Sequence, residues 1–268
     1  MSQQRFPGGV PRSAIVCALM CVTALFTAPT RVTAQTVDSV IIRGHRLTVH
    51  VYGERGVGDP VIVSSGDGGW MHLGPHVART LAANGFFVVG FDVKAYLEDF
   101  TSSGATLRPN DEPGDYRVLA DYASRGSTKK TILIGVSEGA GLSVLAATDP
   151  QTKQAVGGVI GLGLPDLNEL GWRLRDSVIY LTHGTPKEPT FSSAAVIDEI
   201  SPVPFAAIHS TRDEFVPVAE VERTLQRANE PKRLWIIQAS DHRFSDNLQE
   251  FDARLLEAMQ WVKQNQPR

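Results

Sequence analysis

The feature that most constrains this chain is a recurring alternation. Short, largely apolar runs are separated by stretches long enough for a helix. The runs are Pro60–Ser64, Phe86–Phe91, Lys130–Gly135, Ala155–Leu164, Phe205–His209 and Leu234–Gln238. The intervening segments His76–Ala83, Tyr116–Ser124, Ala140–Ala147 and Ala219–Ala228 carry helical spacing, and Leu248–Lys263 is a closing amphipathic helix. A strand with no polar alternation is buried on both faces, which requires helices above and below a mainly parallel sheet. Ahead of this pattern, Val37–Arg43 and Arg46–Tyr52 alternate and flank Gly44, so an antiparallel hairpin opens the domain. The fold class is therefore α/β: a mainly parallel sheet with an antiparallel N-terminal hairpin and helices on both faces. Residues 93–113 read as loop-like. Residues 166–203 show no clean period and are expected to form a lid or pocket wall. No repeat or linker divides the chain, so residues 35–268 form a single domain.

The first residues have the composition of a secretory leader. Arg5 and Arg12 precede an apolar stretch from Ala14 to Ala28, and Val32 and Ala34 supply small side chains before Gln35. Residues 1–34 are thus expected to be a signal peptide cleaved before Gln35, which makes the protein exported and periplasmic. The apolar stretch is shorter than the roughly 20 residues that span a bilayer, which argues against a retained anchor. Cys17 and Cys21, the chain's 2 cysteines, both fall in the leader. What remains offers no disulfide, no thiolate metal site and no cysteine nucleophile. Formal net charge is -3, and the leader's basic residues are unmatched by acids, so the remaining chain is more acidic still. That balance argues against a nucleic-acid binder, which usually needs a basic face. Nothing in the sequence implies a metal or an organic cofactor.

Gly135-Val136-Ser137-Glu138-Gly139 matches G-x-S-x-G and lies between a strand and a small-residue helix. In that setting the serine occupies a sharp turn, and side chains at the flanking glycines would strike neighbouring backbone. The blander reading is a loosened turn with a helix-capping serine. A serine hydroxyl needs a base, and the chain order for such an elbow is serine, acid, histidine. Asp213 lies in the loop after Phe205–His209, and His242 in the loop after Leu234–Gln238. Ser137 is then the candidate nucleophile, His242 the general base and acid, and Asp213 the group that orients it. Glu214, Asp241 and Asp166 are alternatives for the acid. Among the other histidines, His45 and His50 lie on the hairpin, His76 on a helix and His209 in a strand. His72 and His183 fall in loops that could line a pocket.

Acyl transfer also needs donors for a developing oxyanion. The N–H of Glu138 is one candidate. The other comes from Ser65-Gly66-Asp67-Gly68-Gly69-Trp70, with Asp67 first and Gly66 second. No Gly-Lys-Ser/Thr follows this loop, so it is not a P-loop, and Gly157–Gly163 lacks dinucleotide-binding spacing.

The run Ser65–Trp70, Gly90-Phe91-Asp92-Val93-Lys94-Ala95-Tyr96, the serine elbow and Asp241-His242-Arg243-Phe244 together resemble the VirJ/AcvB-type bacterial virulence protein family. That family belongs to the α/β-hydrolase superfamily. The resemblance runs from about Val61 to the final helix. It implies an α/β-hydrolase fold and a periplasmic serine hydrolase acting on aminoacyl-phosphatidylglycerol, hence peripheral contact with membrane lipid. The family elbow usually reads Gly-Tyr-Ser-Phe-Gly-Ala-Asp, whereas Glu138 here puts a carboxylate beside the serine. Such a carboxylate suits a cationic head group or simply faces solvent. Trp70 and Tyr96 are expected to contact substrate. A small-molecule or lipid ester is the expected partner. Two other readings use the same residues: a non-catalytic scaffold for an envelope or secretion partner, and a peptidase or dienelactone-hydrolase-like enzyme.

Overall fold

The computed structural model describes residues 35–101, 105–173 and 188–267. The expected leader, its cleavage point and His183 lie outside the described residues. Strands β1 (Thr36–Ile42) and β2 (His45–Tyr52) form the expected hairpin. Arg43 and Gly44 both take positive φ, at 47° and 87°. That pair of signs is the tight two-residue turn whose twist matches the flanking strands.

The remaining strands of the main sheet are β3 (Pro60–Ser64), β4 (Phe87–Phe91), β5 (Thr131–Val136), β6 (Val156–Leu162), β9 (Phe205–Ser210) and β10 (Lys232–Ile237). The eight-stranded order is β1-β2-β4-β3-β5-β6-β9-β10. The β1–β2 and β2–β4 pairings are antiparallel; from β4 to β10 every pairing in the sheet is parallel. Two further strands, β7 (Leu167–Glu169) and β8 (Thr190–Ser192), pair only with each other, in a separate ribbon.

Period 2 sorts the apolar strands into two cores. Ile62, Leu133 and Val159 enter one cluster, while Val61, Val63, Ile132, Ile134 and Ile160 enter the other. Helix α1 (Leu73–Ala83) and the last helix, α8 (Leu248–Gln264), cover the second cluster through Leu73, Val77, Leu81, Phe251, Leu255 and Met259. Helices α2 (Val93–Thr101), α3 (Glu112–Ser124), α4 (Glu138–Ala146) and α7 (Val218–Arg227) face the first. Two short helices, α5 (Pro150–Ala155) and α6 (Ser193–Val196), complete the set among the described residues. Each large side chain buried this way contributes ~1.5–3 kcal/mol. Among the described residues no helix is long and apolar enough to cross a membrane.

Two expectations change. Residues 93–101 are helix rather than loop, because Val93, Tyr96, Leu97 and Phe100 fall on one buried face at 3.6-residue spacing. Helix α3 also begins earlier than expected, at Glu112, with Pro113 in its first turn, where a missing N–H costs nothing.

Glu112 is fully buried, and neither carboxyl oxygen has a hydrogen-bond partner. Burial first, then the neighbouring Asp115 charge, push its pKa well above the ordinary carboxylate value. Asp115 is itself satisfied by the Arg43 guanidinium and the Tyr96 hydroxyl. A raised acid binds its proton more tightly folded than unfolded, so raising the pH above the unfolded pKa, about 4.3, progressively costs stability. Glu112→Gln should therefore gain stability relative to the wild type as pH rises from about 4 through neutrality. Urea titrations across that range read the slope, and two parallel curves would contradict a protonated Glu112.

Candidate active site

The strand-to-helix turn after β5 is strained as its sequence requires. Ser137 adopts φ 51° and ψ -119°. A Cβ on Gly135 would lie 2.0 Å from the Gly139 carbonyl oxygen, and one on Gly139 would lie 2.3 Å from the Ser65 carbonyl oxygen. No side chain fits either position without moving backbone. Gly66 packs on the other side, where a Cβ would meet the Ser137 Cβ at 3.4 Å.

Of the three expected site residues, Asp213 and His242 are in direct contact, and Ser137 lines the same cavity as His242. His242 Nδ1 and Asp213 Oδ2 are 2.6 Å apart, with the Asp213 side chain fully buried. Asp213 Oδ1 accepts the Phe215 and Val216 N–H groups at 3.0 and 2.9 Å. Burial alone would raise this carboxyl. The His242 bond, the imidazole charge and the two N–H groups outweigh it and hold the acid below the ordinary carboxylate range. An ionised Asp213 only accepts, so Nδ1 carries the proton and Nε2 of the neutral ring is left basic. Nε2 is buried and has no hydrogen-bond partner.

The end of β6 touches both the serine turn and the imidazole. The Ser137 N–H donates to the Leu162 carbonyl at 2.9 Å. The next residue, Gly163, has φ 61°, and a Cβ there would lie 2.4 Å from His242 Cε1 and 3.2 Å from Nε2. A side chain there would collide with the ring, and the positive φ favours glycine. Ser137 and His242 both line one cavity of about 440 Å³, together with Gly66, Asp67, Glu138 and His72. Among the described residues the N–H groups of Gly66, Asp67 and Glu138 have no intramolecular acceptor.

The rival acids are occupied elsewhere. Glu214 accepts the His242 main-chain N–H at 2.7 Å, so it fixes the loop rather than the ring. Asp241 accepts the N–H groups of Arg243 and Ser245 in its own turn. Asp166 accepts the Ser192 hydroxyl and the Ala194 N–H, holding the start of α6. His209 is buried 3.9 Å from Asp213, and its Nε2 donates to the Val216 carbonyl at 2.9 Å.

The two expected substrate contacts are placed away from the cavity. Tyr96 is wholly buried in the core and donates to Asp115 at 2.7 Å. Its hydroxyl sits on the inward face of α2, which a loop reading of that stretch could not show. Trp70 lies over Gly90, where a Cβ would be 2.2 Å from its ring, and stacks on His50 at 5.0 Å. Both aromatics shape the scaffold behind the loop. In their place the wall is made by Met71, Leu167 and Phe215, all exposed, with Pro165, Glu169 and Arg243. Phe215 also stands edge-on to His242 at 5.5 Å. Of the expected wall over 166–203, residues 166–173 and 188–203 are described, and Leu167 and Glu169 do line the cavity.

Glu138 stands at the cavity beside the serine. Its Oε1 accepts the Glu169 N–H at 2.8 Å. Burial, then the Asp67 charge, raise its pKa well above the ordinary value; the Glu169 N–H opposes them and the Glu169 charge adds to them. Among the described residues no group of acids, histidines and cysteines is arranged to hold a metal ion.

Solved structures share this fold. A dienelactone hydrolase from Anabaena variabilis superposes with TM-score 0.64 at 17% identity, over 88% of this chain and 100% of that one. The esterase domain of a Rhodothermus marinus protein gives 0.58 at 18%, over 86% and 99%. A membrane phospholipase A, described as a bacterial virulence factor, gives 0.60 at 14%, over 85% and 87%. At such identities the likeness is one of architecture, and the architecture is that of the α/β hydrolases. No curated protein matches the sequence significantly. The family described as bacterial virulence protein (VirJ) matches residues 59–262, and with that span covered the chain belongs to the VirJ family.

Proposed function

We propose that this protein is a serine hydrolase that cleaves a carboxylic ester through an acyl-enzyme. His242 Nε2 takes the Ser137 proton as the hydroxyl attacks the carbonyl, and Asp213 stabilises the imidazolium. The N–H groups of Glu138 and of Asp67 or Gly66 hold the oxyanion. His242 then protonates the leaving alcohol. Water, deprotonated by the same imidazole, releases the acid. One observation carries this reading: the Asp213 bond to Nδ1 leaves an unpartnered, basic Nε2 in the cavity that Ser137 enters.

Membership of the VirJ family supports an aminoacyl-phosphatidylglycerol as the ester. Asp67, Glu138 and Glu169 around the cavity suit a cationic aminoacyl group, and the exposed Met71, Leu167 and Phe215 suit a lipid. Residues 1–34 fit export to the compartment where such a lipid is met.

The test offers purified protein lysyl- and alanyl-phosphatidylglycerol vesicles beside short p-nitrophenyl esters, with fluorophosphonate labelling in parallel. Release of free amino acid with labelling of Ser137 is expected. Release of fatty acid instead would reassign the ester as that of a phospholipase. No labelling and no hydrolysis of any ester would overturn the enzyme reading.

A further inference from the structure

We infer that Glu138, the variable residue of the elbow, is a positioning residue that sets substrate selectivity by pinning one wall of the cavity to the nucleophile helix. This rests on the serine-hydrolase reading above and deepens it.

The wall in question is β7. It is a three-residue strand whose only strand partner among the described residues is β8, outside the main sheet. A two-stranded ribbon is marginal by itself, so its position depends on what it docks against. Alternation along β7 sends Leu167 and Glu169 toward the cavity and Asn168 to the opposite side, where it is fully buried. Asn168 Nδ2 donates to the Ser193 hydroxyl at 2.8 Å and to the Asp166 carbonyl at 3.0 Å. Its amide lies against α4: a Cβ on Gly141 would be 1.8 Å from Oδ1.

The second anchor is the Glu138 carboxyl, which accepts the Glu169 N–H. Glu138 and Gly141 are three apart on a helix and so share a face. One supplies an acceptor and the other an absence of side chain, and β7 seats on the pair. Because Glu138 directly follows Ser137, the wall's position is referred to the nucleophile itself. Leu167, which meets whatever ester group occupies the cavity, is two residues from the pinned N–H.

The inference turns on an acceptor oxygen, not on charge, and this makes it separable from recognition of a cationic substrate. Glutamine retains a carbonyl oxygen in the same place; alanine retains nothing. Kinetics on neutral p-nitrophenyl esters of increasing chain length should show KM for Glu138→Ala raised about tenfold, the order expected for loss of one hydrogen bond. That rise should exceed the fall in kcat and vary with chain length. Glu138→Gln should recover most of it. Hydrogen exchange on the full protein gives a second readout: the Glu169 amide should be protected in the wild type and in Glu138→Gln, and faster in Glu138→Ala.

Glutamine and alanine variants that behave alike, or an alanine variant with unchanged KM across the series, would overturn the inference while ester hydrolysis by the wild type still stood. If Glu138→Ala does not fold, loss of Glu169 protection in Glu138→Gln overturns it, and retained protection supports it. A wild type without any esterase activity would instead sink the underlying reading.

Discussion

Ser137→Ala should abolish fluorophosphonate labelling and lower kcat for ester hydrolysis by on the order of a million-fold. The size follows from the chemistry. Without the hydroxyl no acyl-enzyme forms, and His242 can only activate water poorly placed for attack. The donors of the oxyanion site stay in position, so a residual acceleration of about a thousandfold over the uncatalysed reaction is expected. The variant should fold, because alanine meets the same steric cost as serine at φ 51°, and the hydrogen bonds of the turn, to Leu162 and from Ala140 and Gly141, are main-chain. Thermal unfolding beside steady-state kinetics checks both points. A folded Ser137→Ala retaining more than about a hundredth of wild-type kcat would mean that another group performs the chemistry.

Asp213→Asn should cost about ten thousandfold in kcat while the serine and histidine remain in place. The asparagine carbonyl can still accept the Phe215 and Val216 N–H groups, so the loop keeps its shape. Its NH₂ then faces Nδ1 and makes that nitrogen an acceptor. The ring proton moves to Nε2, the atom that must receive the Ser137 proton. A second consequence concerns stability. The folded pKa of Asp213 lies below its unfolded value, so its stabilising contribution is present above about pH 4 and is lost as pH falls through the folded pKa. The stability difference between wild type and Asp213→Asn should thus be largest near neutrality and shrink on acidification. Near wild-type kcat in this variant would remove Asp213 from the mechanism and return Glu214 to consideration.

Much of the fold was legible because its signals are local. Unbroken apolar runs such as Val61–Val63 and Ile132–Ile134 can only be strands buried on both faces, and Arg43-Gly44 can only be a tight turn between alternating segments. Helix α2 was harder to see. Its four buried apolar residues are interrupted by Lys94, Glu98 and Asp99, which dilute the apolar signal over so short a length. The β7–β8 ribbon left no period at all, since three residues are too few to display one.

The candidate site divides in the same way. The elbow needs glycine at two positions four apart, so that spacing between a strand and a helix announces it. Which acid serves His242 depends on where side chains point at the ends of strands far apart in the chain. Four acids met the ordering rule loosely, and only the folded loops send Asp213 to Nδ1, Glu214 to the main chain, and Asp166 and Asp241 to local turns. Trp70 and Tyr96 share the same lesson in reverse. An aromatic near a site is drawn as readily into the scaffold as into the pocket, and only contacts with Gly90 and Asp115 reveal the outcome.

By itself, then, the sequence determined the layered architecture, the hairpin, the strained serine turn and the order in which chemical groups arrive at one edge of the sheet, since all of these follow from spacing along the backbone. The tertiary structure alone showed which of the candidate acids contacts His242 Nδ1, which side chains line the cavity and that Glu138 accepts the Glu169 N–H, because each depends on the direction of a side chain relative to a neighbour distant in sequence, and burial and hydrogen-bond satisfaction choose that direction only once the chain has closed.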